Sequence, residues 1–167
     1  MKLITPTQKG VITSAVMILA SLFSLYILKN PVEGSFQLVI YLLFCGGIIW
    51  SILAYSISDT PKKTFNNYFS IGFKTFVVVS LLMAVFTGIY FYLNPEINNN
   101  SIAENSRLLL KEGNHLPKEI EENAKELKKW FLPLMISLAI FKYLFIGAFV
   151  SLVAAGILGK KYTTPIS

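Results

Sequence analysis

The chain has 167 residues; 54% are hydrophobic, 14% are charged, and the formal net charge is +6. An ordinary soluble domain carries about 25% charged residues and has no room to hide so much apolar side chain. A single cysteine excludes a disulfide scaffold, and a mean hydropathy of +0.59 excludes a disordered chain.

In chain order, the apolar residues form four blocks. Val11 to Leu28, Ser35 to Ile57 and Thr75 to Leu93 contain no charge, and Trp130 to Leu158 is broken only by Lys142. Each meets the length of about 18 apolar residues needed for a transmembrane helix. A buried helix of a soluble bundle shows a polar stripe instead. The predicted fold is therefore all-α: a four-transmembrane-helix bundle, one membrane domain over 1–167. Its spans are expected at about 8–29, 35–57, 72–93 and 131–158. The first block is too long for the apolar region of a signal peptide, and no small-residue cleavage pattern follows it. Cys45 lies inside the second block, which argues against a lipoprotein site.

Helix boundaries are marked by proline. Thr5-Pro6-Thr7-Gln8 reads as a capping box with proline at the first helical position, and Asn30-Pro31 ends that helix. Thr60-Pro61 and Asn94-Pro95 repeat the pair. The repetition fits a parallel two-helix repeat, but the same dipeptides are ordinary punctuation, which is the reading preferred.

Four crossings place both termini on one side. Lys2, Lys9, Lys62, Lys63, Lys74, Lys160 and Lys161 share that side with Asp59. The long opposite loop, 94–129, carries six basic residues and seven acids. Charges in short loops near the membrane decide orientation, so cytoplasmic termini and a non-cytoplasmic loop 94–129 are expected.

Between the second and third spans, Lys62, Lys63 and Lys74 alternate with Phe65, Phe69 and Phe73. Aromatic residues every fourth position share a helix face. Beside a membrane these six are candidate interfacial contacts to anionic phospholipid rather than to nucleic acid. A docking groove for a cytoplasmic partner is the other reading of this stretch.

The long loop reads as an extramembrane amphipathic helical hairpin between spans 3 and 4. Asn98-Asn99-Asn100 is expected to be a linker, and Ser101 to Glu104 a capping box opening a helix that stops at Gly113. Pro117 starts the second helix, whose stripe of Ile120, Ala124, Leu127 and Phe131 runs into the fourth span. The hairpin is either a lid on its own bundle or a face for a partner.

Reactive constellations are sparse. His115 has no metal-ligand spacing around it, and Cys45 sits between Phe44 and Gly46 in an apolar block. No cofactor and no enzymatic activity are expected. Lys142 is the one cation inside an apolar block, and such residues mark function unless they snorkel to the interface. Both readings of Lys142 stay open, its candidate partners including an anionic ligand such as a lipid phosphate. Small residues supply helix-packing edges: Gly47 and Ser51; Ser80, Ala84 and Gly88; Gly147, Ser151, Ala155 and Gly159. Some of these edges would suit a homo-oligomer or a partner helix.

The Thr-Pro opening, Phe69 to Lys74, the Leu93-Asn94-Pro95 break and the helix from Pro117 into a small-residue span resemble the bacterial membrane family catalogued as domain of unknown function 4199. The resemblance covers essentially the whole chain. It implies a four-span inner-membrane protein, with no assigned activity, and an association with polyprenyl-phosphate glycosyltransferases. The expected function is a non-catalytic accessory or scaffold subunit for a membrane partner. The alternative is a lipid or small-anion binding or transport protein using Lys142.

Overall fold

In the computed structural model, residues 4–27, 36–58 and 63–161 are described. They form five α-helices and no strand: α1 (Pro6–Tyr26), α2 (Phe36–Ile57), α3 (Phe65–Leu93), α4 (Pro95–Glu112) and α5 (Pro117–Lys161). Asn30-Pro31 and Thr60-Pro61 lie outside the described residues.

Local chemistry explains the boundaries. Thr5 accepts from the Gln8 amide at 3.2 Å while Gln8 Oε1 accepts from the Thr5 amide at 2.9 Å, closing the expected box ahead of Pro6. At the other end of the apolar run in α3, the Asn94 amide and side chain both donate to the Tyr90 carbonyl. Pro95 then opens α4 at once, because the first helical position needs no N–H donor.

This start corrects the expected linker and cap. Asn98, Asn99 and Asn100 are helical, and Ser101 is no cap: its hydroxyl donates to the Ile97 carbonyl at 2.9 Å. Proline at the first position fixes the start upstream, and three weak helix formers are then carried along at about 0.7 kcal/mol or less each. Gly113 ends α4 as expected, with φ of 70°. A side chain there would meet its own backbone. Gly113→Ala should destabilise the end of α4 by about 1 kcal/mol, read as roughly fivefold faster amide exchange in its last turn.

Helix α5 is one continuous element of 45 residues, so the helix that opens at Pro117 and the fourth apolar block belong to the same helix, with Pro133 inside it. Its start is sealed by Leu116, whose amide donates to Glu119 Oε2 at 3.0 Å.

The described residues divide into two compact units. One comprises α1, α2, α3 as far as Met83 and α5 from Ile140; the other is 84–139. In the first unit the interfaces are built from small residues. Gly47 faces Thr13, so α1 and α2 meet backbone to side chain. A Cβ on Gly10 would lie 2.9 Å from the Thr75 carbonyl, so α1 and α3 are equally close. Along α5, Gly147 faces Phe76, Ser151 faces Gly72 and Gly159 faces the Phe65 backbone, an antiparallel register in which Ala155 is fully buried. Close approach of this kind replaces the hydrophobic driving force that lipid does not supply.

Within the second unit, Gly88 faces Ile136 and Phe91 meets Phe131 edge to face at 5.3 Å. Asn105 donates to Asn123 at 3.4 Å, tying α4 to α5. None of the residues of α4 is buried.

Burial in the first unit is inverted relative to a soluble protein. The buried face of α1 is Lys9, Gly10, Thr13, Ser14, Met17, Ser21 and Ser24, whereas Leu19 and Phe23 are exposed. On α2 and α5, Leu42, Phe141, Phe145 and Phe149 likewise point outward. Polar groups inside and bulky apolar groups outside is the arrangement suited to lipid rather than water.

Candidate functional site

The described residues of the first unit include cations but no Asp or Glu; Glu33 and Asp59 lie outside the described residues. Its cations sit at defined places. Lys63 donates to the Ser56 carbonyl at 2.6 Å, complementing the negative end of α2. Lys9 is buried, with Nζ 5.6 Å from the Trp50 ring centre.

Lys142 is half-buried on α5, with Nζ 5.3 Å from the centre of the Tyr41 ring and 5.6 Å from that of Tyr143. Tyr143 is buried and packs edge to face on Phe44 at 5.2 Å. Gln37 Nε2 donates to the Tyr41 hydroxyl at 3.1 Å. The ammonium therefore faces protein on one side, between two tyrosine rings. Tyr41 lies five residues after the first residue of α2, roughly 7.5 Å along the axis. Measured from Trp130, Lys142 looks central; measured from the opening of α2, it lies within a side chain's length of the helix end. The sequence held no signal for this, since it depends on which turn of α2 meets α5.

At the opposite level, Thr75 is fully buried where α1, α2 and α3 converge. Its hydroxyl oxygen lies 2.7 Å from Ser51 Oγ, 3.0 Å from the Ile71 carbonyl and 3.3 Å from the Pro6 carbonyl. One hydroxyl proton cannot serve three acceptors; Thr75 donating to a carbonyl while Ser51 donates to Thr75 satisfies both. Thr75 escaped notice in the sequence because a threonine in an apolar block has no distinctive spacing.

The remaining candidates are dispersed. Phe65 and Phe73 are exposed and Phe69 half-buried, stacked along one side of α3 at 6.2 Å spacings, and Lys74 is exposed. These turns belong to the same helix as the third apolar block; Lys62 lies outside the described residues. Ser80 is buried and donates back to the Phe76 carbonyl, and Ala84 is buried in the second unit. Cys45 is half-buried. His115 lies 3.6 Å from Glu112 and 3.9 Å from Glu119 in the turn before α5. Outside the apolar blocks, Lys125 bonds Glu121 at 2.7 Å and lowers the pKa of its carboxyl.

Four helices, α1, α2, α3 and α5, are long and apolar enough to cross a membrane. Together with the inverted burial, this defines an all-helical membrane protein. The chain belongs to the protein family of unknown function DUF4199, whose model matches residues 8–160. No curated protein and no solved structure matches it.

Proposed function

We propose that the protein is a non-catalytic accessory or scaffold subunit that holds a membrane-protein partner, through α4 and the opening turns of α5. One observation carries this reading. α4 buries none of its residues, and Leu108, Leu110 and Leu116 stand exposed outside the apolar blocks. In this reading the four apolar helices form the anchoring bundle. The lysines flanking them hold both termini in the bacterial cytoplasm, and α4 faces the periplasm. A polyprenyl-phosphate glycosyltransferase, implied by the family resemblance, is the partner to look for first.

A photo-cross-linker replacing Leu110 in native membranes tests it. The expected result is one discrete adduct with a membrane protein, absent when the probe replaces Leu19 on the lipid-facing side of α1. Adducts with lipid alone would sink the proposal.

The second reading is anion binding at Lys142. It is favoured by a half-buried ammonium in a unit whose described residues contain no carboxylate. Lys142→Gln should then lower the affinity of the protein for anions.

A further inference from the structure

We propose that a phospholipid phosphate is held by Lys142, Tyr41 and Gln37, at the end of the first unit where α2 opens. The proposal rests on the second reading above and names its ligand. Aromatic rings lower the energy of an ammonium by about 0.5–2 kcal/mol, but they do not neutralise it. Among the described residues of this unit there is no Asp or Glu to do so. No carboxylate among the described residues pairs with Lys142, so its ammonium can take an anionic ligand.

The neighbouring groups are donors. Tyr41 accepts from Gln37 at 3.1 Å, which leaves the phenol proton free to donate elsewhere. The second N–H of the Gln37 amide is a further donor. Ser24 is 0% exposed, and its hydroxyl has no partner. The contacts of Thr13 with Gly47 and of Lys9 with Trp50 set α1 antiparallel to α2 in a register that brings Ser24 level with the start of α2. The positive end of the α2 dipole lies there too. An ammonium, a phenol, an amide and a hydroxyl suit the oxygens of a phosphate diester.

The surroundings of Lys142 select a lipid as the source. α2 and α5 run in the same direction here, since Tyr41 meets Tyr143 while Ile52 and Ser151 both meet Gly72. Side chains on a helix lean toward its N-terminal end, so Lys142 leans toward the end where α2 opens. Its ammonium leans toward that end while Phe44 and Tyr143, packed beside it, keep the surroundings apolar. That combination fits a phosphate with acyl chains attached.

The test compares retained lipid. The purified full chain is reconstituted in nanodiscs of equal phosphatidylcholine and phosphatidylglycerol, extracted into mild detergent and weighed by native mass spectrometry. Wild type should retain phosphatidylglycerol, Lys142→Gln should retain at least tenfold less, and Lys142→Arg should behave as wild type. Tyr41→Phe, which keeps the ring, should lose about threefold. Inorganic phosphate added to delipidated protein is the second arm, read as a thermal shift. If phosphate stabilises wild type but not Lys142→Gln while phosphatidylglycerol is not selectively retained, the lipid proposal fails and the anion reading stands. If neither ligand responds to Lys142, both fail. Should Lys142→Gln not fold, Tyr41→Phe and Gln37→Leu decide: phosphatidylglycerol retention equal to wild type in both overturns the proposal.

Discussion

Leu19→Asp is expected to abolish stable membrane insertion of α1. Leu19 is 66% exposed, so in a soluble protein the change would be nearly silent. In a membrane span, leucine favours insertion by about 0.3–0.6 kcal/mol and aspartate opposes it by about 2.5–3.5 kcal/mol near the helix centre. The swing of about 3–4 kcal/mol corresponds to a change of several hundredfold in the inserted population. A glycosylation-mapping or alkaline-extraction assay reads that fraction directly. Full retention of the variant in the membrane, or its recovery as a stable soluble protein, would remove the lipid-facing assignment of α1.

The second large effect separates two adjacent glycines. Gly47→Ala should destabilise the packed helices by about 1–3 kcal/mol, because the new methyl overlaps the Thr13 side chain on α1. Gly46→Ala should leave stability unchanged or raise it by about 0.5 kcal/mol, since nothing lies within 4 Å of its Cβ position. Thermal unfolding in one detergent compares them, with the Gly47 variant melting lower. The same contrast holds on α5, where a Cβ on Gly147 would lie 2.6 Å from Phe76 and one on Gly156 would touch nothing within 4 Å. Equal melting points for the Gly46 and Gly47 variants would refute the close approach of α1 and α2.

Much of this architecture was legible in the sequence because lipid imposes strong constraints. A helix that must satisfy its backbone internally needs a long uncharged block, and the four blocks were visible without reference to any contact. Capping at Thr5 and termination at Gly113 were legible because each depends on residues within one turn. The start of α4 was not, because two local signals competed: Ser101 with Glu104, and Pro95 behind Asn94. Proline prevails because its geometry fixes the first turn before the serine is reached.

The candidate site shows the opposite behaviour. Lys142 stood out as an expensive residue, yet its depth depends on the pairing of Tyr41 with α5, which no spacing within α5 encodes. Thr75 and Ser51 stand in separate apolar blocks, and their contact is set by register between helices. Lys9 looked like a flanking charge and is instead buried against Trp50. A side chain long enough to fold back over an aromatic ring gives no sign of it in sequence.

The ridge of Gly147, Ser151 and Gly159 against Phe76, Gly72 and Phe65 bears on biosynthesis. Synthesis proceeds from the N-terminus, so the face of α3 that receives this ridge emerges before its partner has been made. Until translation reaches the last helix, that face stays bare in the bilayer, open to lipid or to another protein's helix. A chain cut short after α4 would therefore display an unmet helix surface, the kind of feature that membrane quality control recognises. Attachment of α5 is the step that completes the unit.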